Sequence, residues 1–357
     1  MKLHPISEYR VGNLFADSNE ISIDESRKNN HINLRHLKEE VRRFERNTGQ
    51  VLTLKNYLNN FGLDIRTIFK TAGSWARLKK LAGRDVSTFN ENSKYTKFLE
   101  GGLSRLYHTN SYDYLQFLQL LLNNEFCVNI KSERDRKFIN LFYYTVWRNP
   151  INTVNDEYTK SFTSIEDAIA SLKEEAWIIE ELQTLIDIRL KSLKQPTRWF
   201  EVVKGSEIEL YGCYSADEIH LLLENRLRRG QSQGTQYDYV HNLAMVFVTL
   251  NKPDKEYSPS TRYQDYVISQ CQFHWQSMYT IRKSDKAGQR IINQKRNGWK
   301  YILFVRESRR DEYGNTNGYY CLGTMDFNSS YGECPMNVVW DMHEPIPDFI
   351  LEASKAV

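Results

Sequence analysis

The stretch from Ser164 to Leu193, SIEDAIASLKEEAWIIEELQTLIDIRLKSL, divides two kinds of sequence and decides how the chain is read. Ser164 with Asp167 three residues on has the form of an N-cap followed by an acid in the first turn, where the helix dipole favours negative charge. Ile165, Ile169, Leu172, Ala176, Ile179, Gln183, Ile186, Leu190 and Leu193 then alternate in steps of four and three, a heptad seam with one polar member, Gln183. The period predicts a long coiled-coil-type helix over 161–195 whose seam pairs two copies of the chain. The apolar residues off that seam, Ile178, Leu182, Leu185 and Ile188, suit docking onto the same chain. The expectation is a helix that does both.

Upstream the pattern is helical. Leu34, Leu37, Val41 and Phe44 form one stripe, and Thr53 is placed as N-cap before Leu54, Tyr57, Leu58 and Phe61, with Gly62 as the stop. Shorter runs at Ile65–Phe69 and Trp75–Leu81 are closed by Gly73 and Gly83, and longer ones follow at Tyr112–Leu122 and Phe138–Trp147. Residues 1–160 therefore read as an all-α region. Downstream of Gln195-Pro196 the runs become short and β-rich: Trp199–Lys204, Ile208–Tyr211, Ala244–Leu250, Lys300–Arg306, Tyr319–Leu322 and Asn337–Asp341, with one helix at Ala216–Arg229 capped by Ser215. Residues 196–357 are expected to form a compact β-barrel or strongly bent sheet, which makes the class α+β.

Composition narrows the function. The 357 residues are 40% hydrophobic and 26% charged, and 17 Phe, 22 Tyr and 7 Trp supply enough apolar surface for true cores. No apolar run approaches the ~20 residues of a membrane span, and no N-terminal run has the form of a signal peptide. Five scattered cysteines, odd in number and never spaced C-x-x-C, argue against a disulfide framework and a zinc site and fit a reducing cytoplasm. The window Thr261–Arg310 holds eleven Lys or Arg against three acids, a local charge of +8, so the rest of the chain carries −5. Such a window is a candidate polyanion surface, although its acids could lie elsewhere in space.

Catalytic signatures fail one by one. No G-x-x-x-x-G-K-[ST] phosphate loop occurs. His36-x-Lys38 lacks the downstream Asp of a phospholipase-D motif, and Asp135-Arg136-Lys137 sits in a helical context without the upstream acid of a metal nuclease. The reading is of a binding module with no metal or cofactor of its own.

The informative constellation is Ser260–Tyr266, then Phe273-His-Trp-Gln-Ser277, the loop Arg282–Gly288 and the run Arg290–Trp299. Rings can stack on a nucleobase while cations neutralise phosphates. Asp265 can accept a hydrogen bond from the exocyclic amine of cytosine and would repel the O4 of thymine. On this reading Tyr263 and Trp275 wall a flipped-base pocket, Tyr266 or Phe273 lines a methyl slot, and Asp265 reads the base. Arg262, Arg282, Lys283, Lys286, Arg290, Lys295, Arg296 and Lys300 would hold phosphates. The alternative puts Tyr263, Phe273 and Trp275 in the core and pairs Asp265 with Arg262.

Six ordered motifs carry a resemblance: Tyr214–Ile219, Val246–Lys252, Ser258–Tyr266, Phe273–Ser277, Leu303–Ser308 and Pro335–Trp340. With them, the chain from Tyr211 onward resembles the domain of unknown function that closes a family of bacterial superfamily-II helicases with a phospholipase-D-type nuclease at the N-terminus. Leu34–Gly83 is similar to the helical extension behind the motor of those proteins. Within that family the chain is most similar to the SauUSI group, modification-dependent (type IV) restriction enzymes directed against DNA containing 5-methylcytosine. The resemblance implies a PUA-like, SET-and-RING-associated-like barrel that flips the modified base. It also implies that this chain is the target-recognition half of such an enzyme, with methylated double-stranded DNA as partner and a homodimer as assembly. ATP, Mg and both catalytic activities belong to domains that have no counterpart in these residues. A dimerisation module whose β domain contacts protein, and an RNA reader on a PUA-like barrel, are the competing readings.

Overall fold

Helices in the N-terminal half start where a side-chain oxygen meets their unpaired N–H groups, as the computed structural model of the chain shows for residues 33–148, 162–193, 195–223, 234–252 and 264–355. Asn33, Thr53, Asp64, Ser74 and Ser93 each accept a backbone N–H two or three residues on, and Ser132 with Asp135 forms a reciprocal capping box. They open α1 (Leu34–Thr48), α2 (Leu54–Phe61), α3 (Ile65–Ala72), α4 (Trp75–Leu81), α5 (Lys94–Leu106) and α7 (Glu133–Trp147); α6 spans Tyr112–Asn123. Together with residues up to 192 and with 312–315 these helices form the first of two compact units. Its core centres on Tyr57, whose ring lies 4.9 Å from Phe61 and 5.0 Å from Trp75.

The long helix expected over 161–195 is broken. Ser164 caps α8 (Ile165–Ala170) as its sequence requires, but the chain then tightens into a 3₁₀ turn, Ser171–Glu174, and leaves helical geometry at Glu175 before α9 (Trp177–Lys191) begins. The break rephases the seam. Ile169 and Leu172 are buried in their own unit, Ile179 is 42% exposed, and α9 packs through Trp177, Ile178, Leu182, Leu185 and Ile186. The residues off the heptad thus win most of the packing surface. Among the described residues the heptad positions of 162–193 form no continuous coiled-coil helix.

The second unit comprises residues 108–112, 193–311 and 316–357. β1 (Arg198–Val203) and β2 (Ser206–Leu210) form a separate hairpin, and α10 (Ala216–Leu222) begins at Ser215 in a full capping box with Glu218. The expected continuation of α10 to Arg229 lies outside the described residues. The main sheet runs β4 (Gly234–Asp238), β5 (Leu243–Asn251), β8 (Lys300–Ser308), β9 (Tyr319–Tyr331), β10 (Asn337–Met342), β7 (Gln272–Gln276), β6 (Tyr266–Ser269), with β3 (Cys213–Tyr214) added to β9. This is an open mixed sheet rather than a barrel: among the described residues the edge strands β4 and β6 do not pair with each other, and β5 and β8 run parallel. Strand alternation sends Tyr301, Leu303, Val305, Val338 and Trp340 into one core, flanked by α11 (Lys286–Ile292) and α12 (Asp348–Lys355). No helix among the described residues is long and apolar enough to cross a membrane.

Candidate nucleic-acid interface

The β6–β7 hairpin carries the aromatic and acidic set, and the two-residue period of a strand divides it. Phe273 and Trp275 point inward, 0% and 5% exposed, with the Trp275 ring 6.3 Å from that of Trp340. They are core residues and offer no open wall to a base. Tyr266 faces the other way, 40% exposed, and stacks on His274 with ring centroids 4.4 Å apart and planes 16° off parallel. His274 Nδ1 lies 2.8 Å from the Gln264 carbonyl oxygen, an acceptor, so this nitrogen carries the proton. Nε2 is then the acceptor for the Tyr331 hydroxyl at 3.3 Å. Burial and the neighbouring Tyr331 raise the Tyr266 phenol above its ordinary value.

Asp265 is occupied. Its Oδ2 lies 2.6 Å from Lys252 Nζ, and its Oδ1 accepts the Gln276 N–H at 3.0 Å. With the side chain 4% exposed, both oxygens are used inside the protein. Lys252 is therefore the cation beside it; Arg262 and Tyr263 lie outside the described residues.

The basic run divides as well. Lys295 pairs with Asp326 at 3.0 Å, Lys283 donates to the Ser330 carbonyl at 3.2 Å, and Lys300 donates to the Val202 carbonyl at 2.7 Å. Burial pushes the Asp326 carboxyl up, but hydrogen bonds from His343, Lys295 and Gln294 outweigh it and hold the group at about 2. Arg282, Lys286 and Arg296 are exposed. Gly288 keeps several of these cations together: a Cβ there would lie 2.0 Å from the Arg282 carbonyl oxygen, so only glycine lets α11 pack against the 282–283 turn.

Arg290, on α11, is held differently. Its guanidinium carbon lies 4.5 Å from the centre of the Tyr237 ring, 4.9 Å from Trp299 and 5.1 Å from Tyr239. Trp299 stands nearly perpendicular to both tyrosines, at 83° and 86°. No carboxylate pairs with Arg290 among the described residues. Three rings surround the cation, contacts that hold it in place without consuming its charge. Tyr239 is 64% exposed, so the cluster reaches the surface.

Residues 208–353 match the family described as a domain of unknown function (DUF3427). No curated protein matches the chain. The DUF3427 segment contains Arg290 and all three of its rings. Of the residues picked out in sequence, the fold brings Tyr266 to an exposed face and keeps Arg282, Lys286, Arg290 and Arg296 at or near the surface; it buries Phe273 and Trp275 and engages Asp265. Sequence reasoning missed Tyr237, Tyr239 and Tyr331. The one available signal for the first two was the Tyr-Asp-Tyr spacing at the end of β4 and the start of its turn. Among the described residues, no group of three or more His, Cys, Asp or Glu is placed to hold a metal ion.

Proposed function

We propose that the DUF3427 segment is a DNA-binding module that recognises 5-methylcytosine in double-stranded DNA, as the target-recognition part of a modification-dependent restriction system. The observation that carries the DNA-binding part is the ring-held Arg290 beside exposed Arg282, Lys286 and Arg296. A guanidinium held among rings with no acid beside it keeps N–H groups for a phosphate. Modified cytosine as the target rests on the six motifs that resemble the restriction family. Tyr266 and Tyr331, 40% and 55% exposed, take the place of the buried Trp275 as rings on which an unstacked base would rest.

A methyl group in an apolar slot contributes on the order of 1 kcal/mol, so the expected preference for methylated over unmethylated sites is about fivefold. Fluorescence anisotropy with one duplex in unmethylated, methylated and RNA form tests the reading. Methylated DNA binding tightest supports it, and RNA binding tighter than either DNA would replace it with an RNA-reading function.

A further inference from the structure

Arg306 is 3% exposed, more buried than any other arginine of the described residues, and it lies on β8. Its Nε donates to Thr249 Oγ1 at 2.9 Å, its Nη1 reaches the Asn317 carbonyl at 3.4 Å, and its guanidinium sits 4.3 Å over the Tyr319 ring. Nη2 makes no hydrogen bond, and no carboxylate pairs with this charge, among the described residues. Taking a guanidinium out of water is costly, and a carboxylate normally offsets that cost. Arg77 meets Glu100 and Arg66 meets Asp64, both at side-chain exposures near 17–18%. Arg306 gives up more solvent and has no such partner.

Its surroundings suit a ligand. Thr249 and Arg306 are register partners on the parallel pair β5–β8, two residues short of the carboxyl ends at Asn251 and Ser308. Ligands of open sheets collect outside the carboxyl ends of parallel strands. Two of the motifs noted in sequence, Val246–Lys252 and Leu303–Ser308, meet at this pair. Arg309 and Arg310 follow, both exposed, with Glu307, Asp311 and Glu312 beside them in sequence, so the fork geometry of Arg306 rather than net local charge is what favours a phosphate.

We infer that Arg306 is the fixed fork of an anion site whose ligand is a phosphate group. Thr249 and Asn317 lock one side of the guanidinium, Tyr319 supports its face, and the Nη2 edge takes the oxyanion. A DNA phosphodiester and a free phosphate or nucleotide present the same chemistry, and only the first depends on the duplex-binding reading above.

Two measurements on the full chain decide the matter. Melting is followed in inorganic phosphate and pyrophosphate against chloride at matched ionic strength, for the wild type, Arg306→Gln and Thr249→Val. Anisotropy with a short duplex gives the salt dependence of binding for the same proteins. A phosphate-dependent rise in Tm that Arg306→Gln abolishes supports a free-phosphate ligand. A DNA salt slope that is shallower by about 0.9 in Arg306→Gln supports a backbone phosphate. If Arg306→Gln does not fold, Thr249→Val, which releases Nε and leaves the charge in place, should weaken the same response several-fold. A wild type whose melting ignores phosphate, with a salt slope unchanged in the variants, overturns the site and leaves Arg306 a structural residue. Failure of the wild type to bind DNA would sink the proposed function while the melting arm still decides this one.

Discussion

In the helical unit, Arg77 is gripped by both oxygens of Glu100 at 2.8 Å, and Lys79 by Glu180 at 2.8 Å. In the sheet unit, Lys252 and Lys295 also meet acids, but Arg290 and Arg306 rest on aromatic rings instead. An ion pair spends a cation's charge on the fold. A ring face fixes the cation's plane and leaves its N–H edge available. On the proposed reading Arg77 serves stability and Arg290 and Arg306 serve recognition, and that contrast can be broken in four places.

The largest effect belongs to Arg77→Met. Removing one member of a buried pair leaves Glu100, 7% exposed, without its counter-charge, at a cost of about 3–5 kcal/mol. The expected result is a large fall in Tm with DNA affinity per folded molecule unchanged. Loss of DNA affinity at intact stability would reverse the assignment.

Next comes Glu181, a buried acid of the helical unit. Its Oε1 accepts the Ala76 N–H at 2.9 Å, while Oε2 has no hydrogen bond among the described residues. Burial, only partly offset by the Ala76 and Trp75 N–H groups, pushes this carboxyl up to about 8 from 4.5. The folded pKa is raised, so the contribution to stability is fully present below pH 4.5 and is lost as pH rises through 8. Within that window stability should fall by up to about 1.4 kcal/mol per pH unit. Glu181→Gln removes the titration, so its melting temperature should vary less with pH. Equal pH dependence in the two proteins would place the titrating group elsewhere.

What was legible in sequence follows from distance along the chain. The helix caps at Thr53, Ser164 and Ser215 are local, and all three form as read. The strand cores Ala244–Leu250 and Lys300–Arg306 were recognisable from apolar content, but their parallel pairing was not, because it depends on the crossover between them. The heptad misled because Ser171–Glu175 contains neither Gly nor Pro to mark its break, and apolar residues on both faces satisfy two periods at once. Asp265 was identified as a partnered acid in one reading, but Lys252 lies 13 residues away and had no signal tying it there. Arg290 was picked out for its charge alone, since two of its rings come from the end of β4 and the turn after it, more than 50 residues upstream.

Arg290→Ala sharpens the comparison from the other side. A hydrogen bond to a charged group contributes about 1.5–3 kcal/mol, so duplex affinity should fall at least about tenfold, on methylated and unmethylated DNA alike. Arg290→Lys should recover little, because an ammonium presents no planar fork. A lysine variant with full affinity would mean that charge alone matters and the cage does not.

The smallest expected effect is the most diagnostic for the cage. Tyr239 is 64% exposed and contributes little to the core, yet its ring lies 5.1 Å from the Arg290 guanidinium. An exposed cation–π contact is worth about 0.5–1 kcal/mol. Tyr239→Ala should therefore weaken DNA binding by roughly two- to fivefold while moving Tm very little. In the Arg290→Ala background the same change should do nothing further, because the ring acts only through the guanidinium it holds. A double-mutant cycle measures that coupling directly. If the two losses simply add, Tyr239 touches DNA on its own account, and the arginine does not need the cage to be held ready.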